Sequence, residues 1–326
     1  MTLPALFENL RLPVIAAPMF IVSTPELVIA QIRAGIVGSF PALNARPASQ
    51  LDDWLHQITE ETNGCAAPLA VNLIVHKSNN RLEEDLKVLE KHKVPLVITS
   101  LGAIPEVNAA VHGWGGLVMH DVIDDRFARK AVEKGADGLI AVAAGAGGHA
   151  GTQSPFALMQ EIRAWFDGPL ALSGAIACGR SILAAQAMGA DFAYIGSPWI
   201  ATTEANASEG YKQAIVDSHA ADIVYSSLFT GVHGNYLRAS IAAAGLDPAN
   251  LPEGDKAQMD FGSGGNTAAK AWKDIWGAGQ GVGAVDKVDT VADRVAALDA
   301  QYQSAKAELN ARAGADRAGM VRTGIA

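Results

Sequence analysis

"KGADGLIAV" (134–142) and "MGADFAYIG" (188–196) place the same Gly-Ala-Asp junction in front of a short apolar run, and that echo decides the fold. In each copy a helix-like stretch ends at the glycine, which readily closes a helix, and a strand-like run starts after the aspartate. A strand, a helix and a return to a parallel strand form one βαβ unit, and the two copies lie two such units apart. Working outward, the same alternation gives eight strand candidates. They are "PVIAAPM" (13–19), "IVGSF" (36–40), "PLAVNLIV" (68–75), "PLVITS" (95–100), "GLVMHD" (116–121), "GLIAV" (138–142), "PLALSG" (169–174) and "FAYIG" (192–196). Helix-like segments such as "PELVIAQIRAG", "RLEEDLKVLEKHK" and "GRSILAAQAMG" separate them. Eight units fit an α/β protein of the (β/α)8 TIM-barrel type; a doubly wound open sheet is the other arrangement and needs no closure.

The pattern breaks after Ser197. Residues 205–275 carry helical stretches such as "SEGYKQAIVDSHA" and a polar Gly/Asn/Asp-rich region without strand alternation. They are expected to form a smaller, mainly helical insertion over the barrel mouth, leaving residues 1–204 and 276–326 as the barrel domain. A last helix spaces Val288, Val291, Val295, Leu298, Tyr302, Ala305 and Leu309 by three and four, a stripe expected to pack on the barrel.

Composition narrows the function. The 326 residues are 49% hydrophobic and 18% charged, with 33 glycines, which suits buried parallel strands joined by tight turns. A net charge of −9 without any Lys/Arg run argues against nucleic acid as a partner. Cys65 and Cys178 form no CxxC or Cys/His cluster, so two free thiols in a reducing compartment are expected. Glu8 and Arg11 precede the first apolar run, and no segment approaches about 18 uninterrupted apolar residues. Neither export nor a membrane span is expected; the cytoplasm is the expected location.

In a barrel, chemistry sits at the C-terminal ends of the strands. Those ends carry Pro18-Met19, Asn72, Ser100-Leu101-Gly102, His120-Asp121, "AGAGGHAG" (144–151), Ser173-Gly174-Ala175 and Gly196-Ser197. Small residues around a rim leave room for a flat ligand. Gly174, Gly179, Gly196 and Ser197 follow strands seven and eight, where barrels commonly bind phosphate through backbone N–H groups, and are read as a phosphate cradle. His149 stands alone among glycines, a candidate acid or base; a tight turn capped by the imidazole is the plainer reading. Neither "GAGGHAG" nor "GAGQGVG" meets the spacing and context of a dinucleotide fingerprint. His76, His120 and His149 come from different strand ends without carboxylates at ligand spacing, so no metal site is expected. His120 is read as a structural histidine or one standing just behind the site, and His233 as a plain loop histidine that could also line the pocket.

Taken together, "PVIAAPM", "AVNL", "AGGHAG", "LSGAIACGRS", "MGADFAYIGSPWIAT" and "IWGAGQGVGAV" resemble the nitronate monooxygenases, formerly called 2-nitropropane dioxygenases, over nearly the whole chain. These are FMN-dependent (β/α)8 barrels. The resemblance implies FMN held non-covalently at the barrel mouth, its phosphate on the Gly174 to Gly179 and Gly196-Ser197 loops. It implies Ala17, Pro18, Met19, Asn72, Ala144, Gly145, Gly148, Ser173 and Ala175 around the flavin. Ala278, Gly279 and Gln280 would close over the ring edge, and His149 matches the family's active-site histidine. The implied reaction oxidises an alkyl nitronate, such as propionate 3-nitronate, with O2 to a carbonyl compound. The wider family includes NAD(P)H:quinone and enoyl-thioester reductases, so a reductase using NAD(P)H as a transient co-substrate is the first alternative. A flavin-binding protein without turnover is the second. A monomer and a homodimer are both compatible. Two departures stand out: Ala16-Ala17 where many members read Gln before "APM", and His120-Asp121 where a relative carries lysine.

Overall fold

The computed structural model describes residues 3–254 and 274–323, with the side chains of the last helix described as far as residue 313. All eight expected strands form: β1 (Val14–Ala16), β2 (Gly38–Pro41), β3 (Leu69–Ile74), β4 (Leu96–Ser100), β5 (Leu117–Val122), β6 (Gly138–Val142), β8 (Leu170–Ser173) and β9 (Phe192–Ile195). A two-residue strand, β7 (Gly148–His149), lies in the loop after β6. The eight pair in parallel in the order β1-β9-β8-β6-β5-β4-β3-β2, and a parallel bridge between Ile15 and Val37 closes the ring. Helices α1 (Pro25–Arg33), α2 (Gln50–Glu61), α3 (Leu82–Lys91), α4 (Pro105–Gly113), α5 (Asp125–Glu133), α6 (Pro155–Arg163) and α7 (Gly179–Ala187) alternate with the strands. The fold is a TIM barrel.

The repeated Gly-Ala-Asp junction has a physical job at each residue. Gly135 and Gly189 follow α5 and α7 in left-handed backbone, with φ of 94° and 97°, where a side chain would be strained. Ala136 and Ala190 are buried. The Asp137 carboxylate accepts the N–H of Val118 at 2.7 Å, and Asp191 accepts that of Leu170 at 2.9 Å. Each aspartate therefore ties the entry of its own strand to the start of the neighbouring one.

Inside the ring, alternate residues such as Leu96 and Ile98 join Ile15, Met119, Ile140 and Phe192 in one apolar cluster. Phe7 plugs the N-terminal end of this core, its ring centroid 4.6 Å from that of Phe192. The bottom of the barrel is thus filled by hydrocarbon, and its polar groups gather at the other end.

After β9 come α8 (Ser197–Ile200), α9 (Glu209–Asp217), β10 (Ile223–Ser226), β11 (Gly234–Leu237) and α10 (Arg238–Ala243). The expected insertion is therefore helical only in part, because β10 and β11 form an antiparallel hairpin within it. β11 also pairs with β7, setting Gly234 opposite His149 and Asn235 opposite Gly148. Strands of four residues are too short to display an alternation, which explains why this stretch reads as helix and loop. Residues 255–273 of the expected insertion lie outside the described residues. The C-terminal helix, Val291–Thr323, buries Val291, Val295, Leu298, Tyr302 and Ala305, while Leu309 is 48% exposed, so the expected stripe stops one turn early. Among the described residues no helix is long and apolar enough to cross a membrane.

Candidate active site

The small residues at the strand ends open into a cavity of about 1640 Å³. Its wall includes Ala17, Pro18 and Met19 after β1, Asn72 in β3, and Gly145, Gly148 and His149 after β6. Ser173, Gly174 and Ala175 at the end of β8, Gly196 and Ser197 after β9, and Gly279 complete the expected set that the wall contains. The loop after β1 is pinned from behind: the Asn44 amide donates to the carbonyls of Met19 and Ser23, at 3.0 and 2.8 Å. Ser197 accepts the Gly279 N–H at 2.8 Å, which fastens the C-terminal segment to the end of β9.

Four expected contact residues do not reach the cavity wall. Gly179 donates its N–H to Gln301 Oε1 at 2.8 Å, and a Cβ there would fall 2.2 Å from the backbone nitrogen of Tyr302. The close crossing of α7 by the C-terminal helix, rather than a phosphate, accounts for that glycine. Ala144 donates its N–H to the Gln153 carbonyl at 2.8 Å, behind the glycine loop. Ala278 is buried at 1% exposure, and Gln280 donates its N–H to the Gly145 carbonyl at 2.9 Å. These two residues brace the glycine loop from outside.

That loop presents His149. Gly145 and Gly148 have φ of 85° and 66°, and the single imidazole between the small residues joins the cavity wall. His149 Nε2 lies 3.0 Å from Thr230 Oγ1. Burial lowers its pKa to about 4, so the ring is uncharged at neutral pH.

A second polar group lies deeper, on adjacent strands. The Asn72 amide donates to Ser100 Oγ at 2.8 Å, and Ser100 donates in turn to Asp121 at 2.6 Å. Burial raises the Asp121 pKa, and burial together with the nearby Asp121 raises that of Tyr194 well above the usual phenol value. His120 is 6% exposed, 2.6 Å from Thr99 Oγ1, with its pKa lowered by burial, and it also reaches the cavity wall. Burial thus disfavours the charged form of each of these groups at a hydrogen-bonded floor.

Residues 4–300 match the model of a family described as nitronate monooxygenase. The chain belongs to that family. A nitronate monooxygenase of Paraburkholderia phytofirmans is 28% identical over 308 residues, covering 79% of this chain and 82% of the relative. The solved structure of nitroalkane oxidase from Streptomyces ansochromogenes is 25% identical with a TM-score of 0.76, covering 94% of this chain and 100% of the other. FabK from Thermotoga maritima, 23% identical with a TM-score of 0.76 over 94% of this chain and 97% of its own, shares the fold.

The protein is therefore an oxidoreductase of the nitronate monooxygenase family, a family that acts on small molecules and is generally flavin-dependent. Sequence reasoning did not single out Tyr194 or Thr230. Tyr194 is the third residue of an apolar strand and reads as core. Thr230 is 81 positions from the imidazole it contacts, and nothing local marks it. Ser100 and Asp121 were visible only as strand ends.

Proposed function

We propose that this chain holds FMN at the barrel mouth and oxidises alkyl nitronates, such as propionate 3-nitronate, with O2 to carbonyl compounds. The observation that carries the reading is the single uncharged imidazole of the glycine loop in the wall of a cavity ringed by small residues. In this reading residues 1–204 and 276–326 are the cofactor-binding barrel and residues 205–275 the lid.

The residues present fit a flavin mononucleotide. A Cβ on Gly196 would meet only Ala17 Cβ at 3.5 Å and Met19 Sδ at 3.8 Å, so the protein's own packing does not demand glycine there. Open space before that backbone suits a phosphate, and Gly174, Ala175 and Ser197 line the same region of the wall. The cavity also exceeds the roughly 300–1,000 Å³ of an ordinary ligand site, leaving room for cofactor and substrate together. Ala17, Met19, Asn72, Gly145, Gly148, Ser173 and Gly279 would flank the ring system.

When bound, FMN supplies the acceptor for the substrate's electrons and their outlet to oxygen. The protein's own contribution is positioning and proton handling. His149 holds the nitro oxygens of a nitronate by hydrogen bonding, or takes the α-proton of a neutral nitroalkane. Negative charge developing on the substrate beside the ring opposes the burial that lowers its pKa, so proton acceptance becomes easier once substrate is bound. An oxygen-electrode assay tests the reading: propionate 3-nitronate should drive O2 uptake, and NADH should not. Turnover of NADH with a quinone or an enoyl thioester, without uptake on nitronate, would establish the reductase alternative.

A further inference from the structure

The floor of the cavity is built from inward-facing strand residues, and its hydrogen bonds can be followed one by one. On β9 the alternation sends Phe192 and Tyr194 to the same inner face, where Phe192 joins the inner apolar cluster and Tyr194 packs against it. Tyr194 is half-buried and belongs to the cavity wall, as do Asn72, Ser100 and Asp121. Those three are tied to one another and to the barrel: the Asn72 amide donates to the Ile98 carbonyl at 3.0 Å and to Ser100, and Ser100 donates to Asp121. The Tyr194 hydroxyl differs. It makes no hydrogen bond among the described residues, and its oxygen is not sealed from the cavity.

A half-buried phenol without a partner gives up hydrogen bonding that a ligand with an acceptor at that point restores. Burial, together with the nearby Asp121, keeps this phenol protonated, so its hydrogen is there to be donated. The position of Tyr194 points to what it meets. Tyr194 stands two residues before Gly196, roughly 7 Å further down the strand than the proposed phosphate cradle. Pointing inward, it carries its hydroxyl away from the wall and toward the barrel axis, below the rim. A flat ring system with carbonyl oxygens and ring nitrogens offers acceptors there.

We propose that the Tyr194 hydroxyl donates a hydrogen bond to the ring system of bound FMN, and holds the reduced ring more tightly than the oxidised one. Reduction adds negative charge to the ring's acceptors, and a hydrogen bond to a charged acceptor is the stronger kind. The inference deepens the proposed cofactor reading and rests on it.

Tyr194→Phe removes only the hydroxyl. Because that group has no partner in the described protein, the flavin-free variant should fold and melt like wild type; a much lower melting temperature would show a structural role and overturn the proposal. Fluorescence titration of the flavin-stripped full chain with FMN should show Kd raised about threefold to tenfold, the scale of one net hydrogen bond. Redox titration of the flavin-loaded protein should show the reduced form weakened about fivefold more, a midpoint potential about 20 mV lower for a two-electron couple. A raised Kd with an unchanged potential would put the hydroxyl on the ribityl chain or phosphate and overturn the ring assignment. Unchanged Kd and potential would overturn it too, with a raised KM for propionate 3-nitronate marking a substrate contact instead. Wild-type protein that takes up no FMN would overturn the cofactor reading itself, so the two failures are told apart by the wild-type titration.

Discussion

His149 is half-buried in the cavity wall, where desolvation lowers its pKa to about 4, and an uncharged imidazole matters differently to different substrates. A neutral nitroalkane must lose a proton from carbon, whereas a nitronate has already lost it. His149→Asn is therefore expected to lower turnover of a neutral nitroalkane by about 10² to 10⁴-fold, with a much smaller loss on the pre-formed nitronate and unchanged FMN content. Equal losses on both forms would leave placement of the anion as the histidine's job. The pH profile is a second check. With the pKa lowered to about 4, kcat/KM for the neutral substrate should stay level as pH falls through 6.5, the ordinary histidine value, and decline only near 4. An acid limb centred near 6.5 would mean a solvated ring and contradict the burial argument. Stability follows the same linkage: the folded pKa lies below the unfolded one, so this contribution is complete above about 6.5 and is lost as pH falls toward 4.

Among the elements, two glycines that look alike in sequence separate cleanly in structure. Gly179 is pressed against the backbone of the C-terminal helix, and Gly196 faces open space. Gly179→Ala should destabilise the protein by about 1–3 kcal/mol, as overpacking does, with FMN content of the folded fraction preserved. Thermal melts with flavin quantitation read both; lost flavin at unchanged stability would return Gly179 to the cradle. Gly196→Asp should do the reverse, folding normally but losing FMN, since its carboxylate would confront the phosphate. Full occupancy in that variant would displace the cradle from β9. The strands were legible because buried parallel strands read as apolar runs, and the Gly-Ala-Asp echo was legible because its glycine and aspartate repeat the same bonds. The hairpin of β10 and β11 was not, since its strands are short and one partner is the two-residue β7 far back in the chain. Gly179 misled for a related reason: its partner Gln301 is 122 positions away.

For the whole molecule, the division of labour runs along the barrel axis. Hydrocarbon around Phe7 and Phe192 fills one end, and the wall of the other includes small residues, polar groups and His149, whose loop is braced by the insertion. The small rim could be read from strand ends alone. The polar floor could not, because Asn72, Ser100 and Asp121 meet only after three strands are aligned side by side. Such a site, with the one phosphate cradle proposed at the ends of β8 and β9, is expected to carry FMN rather than FAD, and the central claim is that nitronate itself is the electron donor. Rapid anaerobic mixing of the flavin-loaded protein with propionate 3-nitronate, and separately with NADH, tests this most directly. The account predicts that nitronate bleaches the flavin absorbance within catalytic times and NADH does not; rapid bleaching by NADH, with none by nitronate, would contradict it.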